Sequence, residues 1–562
     1  MGKSMANASG TTAYVAKAKT GGSAPYVAKR SERVAYKDLR DWIAALESAG
    51  QLSRVKAEID WNLELAQIVR RTWDTLGDAS PALLFENIKD YKAPKPNKIF
   101  AGTFRSWYRT AMMLGLDPDN TSRSELINTL RRRISDRSGF IPPRIVKTGP
   151  VKDNVITGDA VDMAMFPVPL FGERDGGRFI GTMHSVFTRL PDSDWVNVGT
   201  YRMMMHNGQE TGIQIDPANQ HIGQHFYKNI ERNEPMQVAV VIGQEPALTF
   251  MGASPTLEPV SELDVAGAIR GEPVDVVKCE TNDLYVPANA EIVLEGTIHP
   301  KERKTEGPGP EYAGYYANQP GMKPVFRCKA ITFRNDPIFR CTPEGHPINE
   351  DHMMLAINTS AYVLEALAKA GVPGVKNVAM PLDASGYATC VVSIKTSTEG
   401  HADWIASAIW GTKMNIWCFK YVVVVDEDID PWNSEQVNWS IAWRVRPSID
   451  IKIWPRHKGS RLDPSVAPEL KGFQDRVLID ATRPYEWAPR DIWATDGVGK
   501  GIPLKFPLST RPRSDVALNV NRRWEELGIR PTERYIGRPE GIFKNWWDDE
   551  EIIAARDLKV MP

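Results

Sequence analysis

Between about residues 140 and 340 the chain changes its hydrophobic period, and this change limits the possible folds more than any other feature. Short alternating segments follow one another there: HSVFTRL, WVNVGTYRMMMH, GIQI, MQVAVVIG, ALTFMG, VDVVKC, AEIVLEG and FRCKAITF. Period-two alternation turns one face of each segment toward a core and the other away from it. Gly and Pro separate the segments, so the expectation is a series of short strands forming a barrel or closed sheet.

The flanking regions read differently. Leu39, Trp42, Ile43 and Leu46 recur at helical spacing after Tyr36, and Gly50 suits a C′ stop. A second helix is expected over 63–75, a strand over 81–88 and a helix around 122–135, which together make a small α/β unit. The basic run LRRRISDR (130–137) reads as a solvated helix face. From about 350 to 455, the helical segments HMMLAINTSAYVLEALAKAG and ADWIASAIWG alternate with the apolar strands ATCVVSI and KYVVVVD. That alternation predicts a separate α/β domain with a largely parallel sheet. A chain of 562 residues exceeds a single core. The expected division is an arm at 1–34, an α/β domain at 35–140, a barrel domain at 141–345, a second α/β domain at 346–512 and a tail at 513–562. The tail's WEELGI and NWWDDEEIIAARDL are amphipathic and suit an oligomer contact, so a homo-oligomer, dimer or hexamer, is expected.

Bulk charge removes several function classes. The 69 basic and 70 acidic residues nearly cancel, so no net field favours nucleic acid or an anionic membrane. YVVVV at 421–425 is the longest aliphatic run, far short of the ~18 residues that span a bilayer, and reads as a buried strand. Cys279, Cys328, Cys341, Cys390 and Cys418 are odd in number and never in C-x-x-C spacing, which suits reduced thiols in a cytoplasm. The first 30 or so residues lack an apolar signal core, and Ala6 stands where myristoylation needs Ser or Thr. AYVAK (13–17) and PYVAK (25–29) echo each other without making a repeat architecture.

EGPGPE, residues 306–311, can be neither helix nor strand. A helix would set Glu306 and Glu311 about 140° apart, and an extended chain would hold them roughly 17 Å apart. The prolines fix φ and the glycines permit positive φ, so a rigid turn can aim both carboxylates at one place. Two acids brought together need a cation between them or a shared proton. A plain surface turn with two solvated acids is the alternative.

Standard nucleotide and hydrolase signatures are absent: there is no G-x-x-x-x-G-K-[ST], H-E-x-x-H or G-x-S-x-G, and DGVGKG (496–501) has the wrong spacing for a dinucleotide loop. The barrel region instead offers Asn197 within WVNVGTYR, Gln220 and His221 within NQHI, and Glu262 within PVSELD. On one strand Asn197, Gly199 and Tyr201 would share a face, opposite Val198, Thr200 and Arg202. Singly, Asn197 reads as a hydrogen bonder, His221 as a satisfied core histidine and Glu262 as a helix N-terminal acid after Ser261.

In combination, the order WxNxxxxR, QHI, SE, KCETNDLYVPANAEIVLEG and EGPxxE resembles the UbiD family of prenylated-flavin-dependent decarboxylases, over about residues 35–500. KYVVVVDEDIDPW (420–432), with Arg444 and Asp450 beyond it, agrees more loosely. The resemblance implies a central split β-barrel that binds flavin, within a mixed α+β and α/β multidomain chain. It implies that Asn197, His221 and Glu262 ligate Mn²⁺ or Mg²⁺ on the phosphate of prenylated FMN. An amide oxygen, an imidazole and a carboxylate form a mostly hard ligand set that suits such an ion. Thr182, Thr200, Tyr201, Arg202, Gln220, Gly252, Ala253, Ser254 and Lys420 would complete the cofactor site, with Lys420 as a point charge for the phosphate. K⁺ would sit on backbone oxygens near Val198 and 252–254. Arg202, Glu306 and Glu311 match the family's Glu-Arg-Glu network, which makes Arg202 the cation between the two acids. Gly309 and Pro310 replace the more usual Phe-Gly between these acids, and the N-terminal extension has no family counterpart.

The implied reaction is reversible non-oxidative decarboxylation of an aromatic, heteroaromatic or α,β-unsaturated acid, with CO₂ as co-product and a flavin prenyltransferase supplying the cofactor. Loss of CO₂ from an sp² carbon leaves a carbanion without a resonance sink, which only a cofactor can provide. Thr200 and His184 are candidates to face the substrate, as an alternative to serving as hydrogen-bonded barrel interior. Two rival classes remain open: a flavin-binding subunit of a larger aryl or aryl-CoA carboxylase, and a metal hydrolase built on Asn197, His221 and Glu262. Intact Arg202, Glu306 and Glu311 oppose the first, and the lack of further His and Asp ligands nearby opposes the second.

Overall fold

The computed structural model describes residues 33–485, apart from 93, 216–219, 254–255, 257–259, 318 and 413–418, together with a few positions between 510 and 528. The arm as far as residue 32, most of the tail, the DGVGKG segment, Cys418 and Ser254 lie outside the described residues.

The first helix, Leu39–Ser48, starts where the Asp38 side chain accepts the Asp41 N–H, and it ends before Gly50, whose φ is +67°. It buries Leu39, Trp42, Ile43 and Leu46, the stripe expected from spacing. Helices Glu64–Leu76 and Arg123–Ser135 and strand Ala82–Phe85 also form near their expected bounds. The 130–137 run is not simply solvated. Arg133 is buried, and its Nη1 donates to the carbonyls of Leu114 and Ile269. A long side chain can satisfy backbone oxygens that a helix face leaves behind, which charge counting along the sequence does not detect. Strands Leu52–Val55, Ala82–Phe85 and Lys98–Ala101 form a sheet, completed by Ile338–Arg340 from much later in the chain.

The central sheet is antiparallel, in the order Glu210–Gly212, Gly321–Phe333, Ile292–Glu306, Met236–Ile242, His184–Arg189 and Val196–Gly199, with Asn154–Thr157 also on Gly321–Phe333. Smaller sheets of three and two strands accompany it. Among the described residues these pairings form an open path and do not close into a barrel. The 15-residue strand Ile292–Glu306 carries bulges between Glu295 and Gly296 and between Ile298 and Arg303, and bulges bend and twist a strand. Glu306 is its last residue, opposite Gly321.

Two segments depart from the strand pattern. ALTFMG lies in a helix, Pro246–Gly252, because the Glu245 carboxylate caps the N–H groups of Ala247 and Leu248 and Pro246 takes the first turn. All seven residues are buried, so no alternation existed to identify the element. WVNVGTYRMMMH is not one strand: Val196–Gly199 and Met203–Met204 belong to different sheets, and the chain turns between them.

The C-terminal sheet runs Val375–Ala379, Thr389–Ile394, Tyr421–Asp426, Phe473–Ala481 and Ile451–Lys458. Its three middle strands are parallel, and both edge strands are antiparallel to their neighbours, so it is mixed rather than largely parallel. The valine run serves two cores, Val422 and Val424 on one face and Val423 and Val425 on the other. Helix Glu350–Lys369 joins this region to the first: Met353, Ile357 and Leu364 share a core with Trp42, Leu126 and Leu130. The buried Glu350 carboxylate accepts the N–H groups of Gly102 and Phe104. Among the described residues, no helix is long and apolar enough to cross a membrane.

Candidate active site

The turn at Thr200–Arg202 is a packing consequence of Gly199. A Cβ there would lie 2.3 Å from the Tyr201 hydroxyl, so only glycine lets Tyr201 fold back over the strand. Backbone bonds fix the turn: Thr200 N donates to Gly252 O (2.9 Å) and Gln214 N to Arg202 O (3.1 Å), while His184 Nε2 bonds Tyr201 O (2.9 Å). Arg202 is thereby turned inward.

Its guanidinium meets both acids of EGPGPE. Nε bonds Glu306 Oε1 at 3.4 Å, and Nη1 bonds Glu311 Oε1 and, at 3.4 Å, the Pro310 carbonyl. All three side chains are buried. The Phe179 ring lies 5.7 Å from the guanidinium carbon. Gly309 leaves the space between them, since a Cβ there would stand 2.7 Å from Phe179 and 3.1 Å from Arg202 Nη1. Burial raises the Glu306 pKa, while Arg202 and Lys323 draw it down and Glu311 adds to the rise. Burial works against the Arg202 charge, but Glu311 and Glu306 more than offset it and its pKa is raised.

Two further acids face this arginine that sequence reading did not single out. Asp175 accepts the Tyr316 hydroxyl and the Gly172 N–H, both at 2.9 Å, and burial raises its pKa. Glu344 is pushed well above the carboxylate range by burial first, then by Asp351 and Glu311. Neither sits in a motif, and only the folding of distant segments brings them here.

The second constellation surrounds Asn197. Glu262 opens the helix Glu262–Arg270 behind Ser261, as its sequence position suggests, but its carboxylate points inward. Oε2 accepts Val198 N (2.7 Å) and Oε1 accepts the Thr256 hydroxyl (2.6 Å). Burial raises its pKa to about 7. Asn197 Nδ2 donates to the Tyr201 hydroxyl (3.2 Å), which leaves the amide oxygen as its acceptor. The Ile222 backbone also bonds that hydroxyl, so Tyr201 links Asn197 to the start of helix His221–Arg232, where Gln220 is N-cap and His221 the first residue. Trp195 packs edge-on to His221 at 5.0 Å, and its Nε1 donates to Val260 O, two residues before Glu262. Among the described residues no cluster of three His, Cys, Asp or Glu could hold a metal unaided, so any cation here would use the amide of Asn197. A buried carboxylate, an amide oxygen and an imidazole joined by shared neighbours fit a hard divalent ion.

The remaining candidates are placed around these two groups. Thr182 Oγ1 accepts Thr342 N, Thr200 Oγ1 donates to His184 O, and Gly252 and Ala253 end the helix that receives Thr200. A Cβ on Gly252 would lie 2.8 Å from Ser185 Oγ. His184 is buried, with Nε2 on the Tyr201 carbonyl and Nδ1 without a hydrogen-bond partner among the described residues. Lys420 is engaged elsewhere, with Nζ bonding Asp463 Oδ2 at 3.0 Å and Ser465 Oγ at 2.7 Å.

Three family descriptions match consecutive parts of the chain: the 3-octaprenyl-4-hydroxybenzoate carboxy-lyase N-terminal domain over 43–126, the Rift-related domain over 144–347 and the C-terminal domain over 352–481. A phenolic acid decarboxylase of Sedimentibacter hydroxybenzoicus is 37% identical over 82% of this chain and 95% of its own. The chain belongs to the UbiD family. It is therefore an enzyme of the carboxy-lyase class, with the mixed α/β multidomain fold of UbiD structures. The vanillic acid decarboxylase structure from Sedimentibacter hydroxybenzoicus, in open form, matches with TM-score 0.74 and 33% identity, covering 88% of this chain and 99% of that one. An evolved dimeric form of the UbiD-class enzyme HmfF from Pelotomaculum thermopropionicum, in complex with prFMN, matches with TM-score 0.69 and 29% identity, covering 82% and 98%.

Proposed function

We propose that this UbiD enzyme decarboxylates an aromatic carboxylic acid reversibly and without oxidation, using prenylated FMN. The observation that carries the reading is Arg202 held between Glu306 and Glu311 in a buried site. An arginine so placed can bind a carboxylate while one acid keeps it oriented and the other exchanges a proton.

Asn197, His221 and Glu262 would hold Mn²⁺ or Mg²⁺ against the cofactor phosphate, with K⁺ close by on backbone oxygens. Thr182, Thr200, Tyr201, Gln220, Gly252 and Ala253 would border the flavin, and Lys420 would reach its phosphate. When bound, prenylated FMN would supply the electron sink for the pair left on the ring carbon as CO₂ departs. The protein's own part is to bind the carboxylate through Arg202, to exclude water, and to return a proton to the ring carbon. Glu311 donates that proton while Glu306 anchors Arg202. Burial raises the Glu306 pKa and Glu311 adds to the rise, so the protonation of one acid bears on the other. A flavin prenyltransferase would supply the cofactor, and the enzyme would work as a homo-oligomer in a division of α/β, flavin-binding and second α/β domains.

The test is co-expression with a flavin prenyltransferase, followed by the spectrum and mass of the released flavin and a screen of hydroxylated, methoxylated and heteroaromatic acids. Glu311→Gln should retain flavin but lose both turnover and exchange of the product ring hydrogen with deuterated water. Near-normal exchange in Glu311→Gln, with loss in Glu306→Gln, would exchange the two roles. A fully loaded protein inactive on every acid would favour a subunit without independent activity.

A further inference from the structure

Glu311 and Tyr312 are adjacent in sequence yet face opposite parts of the molecule. Glu311 is ion-paired with Arg202 on the central sheet's side. Tyr312 is held at three points by the C-terminal region. Its ring packs against Tyr387 at 4.4 Å, tilted by 48°. Its hydroxyl bonds Ser460 Oγ at 3.1 Å. Its carbonyl oxygen meets His352 Nε2 at 2.5 Å. Asn349 N donates to the other ring nitrogen of His352, so Nε2 carries the hydrogen and donates to Tyr312. The loop between is short and tied, because Glu311 N donates to Tyr315 O and Gly314 N to Glu311 O. One peptide bond therefore separates the proton-exchanging carboxyl from an anchor on another part of the protein.

The anchor is itself built. Ser460 Oγ accepts Leu462 N, Asp463 N donates to Ser460 O, and Asp463 with Ser465 holds Lys420. The segment that grips Tyr312 is thus the segment that grips Lys420.

We propose that Tyr312 is a positioning residue for the reaction: held by Ser460, it sets the Glu311 carboxyl in register with Arg202, so the seating of the C-terminal region determines whether the acid is aligned. This rests on the reading of Glu311 as the proton donor. A misaligned donor slows proton return without weakening carboxylate binding, because Arg202 keeps Glu306.

The test uses Tyr312→Phe, which keeps the ring stack and removes only the hydroxyl, with Ser460→Ala and Ser460→Thr. On the loaded enzyme, with the aryl acid that the wild type turns over best, Tyr312→Phe and Ser460→Ala should each lower kcat about tenfold, the loss of one partly buried hydrogen bond. KM, flavin content and melting temperature should hold, the double variant should be no worse than either single one, and Ser460→Thr should restore the rate. On the protein without cofactor, amide hydrogen exchange over 306–316 should quicken in Tyr312→Phe and Ser460→Ala and return to normal in Ser460→Thr. Wild-type kcat in Tyr312→Phe, or unchanged exchange over 306–316, would overturn the proposal. If Glu311→Gln keeps full turnover, the donor reading falls instead, and the amide exchange still decides whether Tyr312 anchors the loop.

Discussion

Gly212 and Glu306 occupy space that only one of them can fill: a Cβ on Gly212 would stand 2.3 Å from Oε2 and 2.9 Å from Cγ of Glu306. The buried Oε2 has no hydrogen-bond partner among the described residues, and Oε1 carries the bond to Arg202. Gly212→Ala should push the carboxylate off the guanidinium and lower kcat by about 10², the usual penalty for a misplacement near 1 Å. The fold should persist, since the change adds one methyl at the end of a strand. Wild-type kcat in this variant would show that Arg202 does not need Glu306 where it stands.

The Asn197 constellation predicts that flavin and metal are retained together. Replacing His221 or Glu262 with Ala should remove both in parallel, as read by metal analysis and flavin absorbance of the purified protein. Full flavin without metal in either variant would mean that the phosphate is held by other groups.

His184 predicts the acid side of the stability profile. It is fully buried, and desolvation lowers its pKa from 6.5 to about 4. The unfolded chain takes up this proton as pH falls below about 6.5, whereas the native state refuses it until about 4. Stability should fall through that window, by about 3 kcal/mol at most, and the loss should level off below it. Denaturant titrations of the wild type and His184→Gln across pH 4–7 should show a smaller pH dependence in the variant. Parallel profiles would remove His184 as the cause.

Lys420 is paired with Asp463 and Ser465, yet in the proposed function it serves a phosphate. Lys420→Ala should reduce flavin loading, and Asp463→Asn, which weakens the competing pair, should raise it severalfold. If Lys420 changes partner by movement of the C-terminal region, solution scattering should differ between cofactor-free protein and protein loaded with flavin and a substrate analogue. Identical profiles, with flavin loading unchanged in both variants, would leave Lys420 as a structural residue only.

Local chemistry determined much of what the sequence could show. The stripe of Leu39, Trp42, Ile43 and Leu46 and the serine before Glu262 specify their elements through contacts within one or two turns. The spacing of EGPGPE excludes regular structure and leaves two acids in need of a cation, and the order of short motifs marked the family. The tertiary structure decided whatever depended on burial or on segments distant in sequence. Pro246–Gly252 is a helix because Glu245 caps it, although its residues, buried on every side, read as a strand. Thr200–Arg202 turns because Tyr201 needs the space that Gly199 leaves open. Asp175, Glu344 and Gly212 lie around Arg202 and Glu306 only because strands and loops far apart in the chain pack together. Periodicity records which face of an element is apolar, but not what that face meets, and the crowding of acids around one buried arginine depends on what it meets.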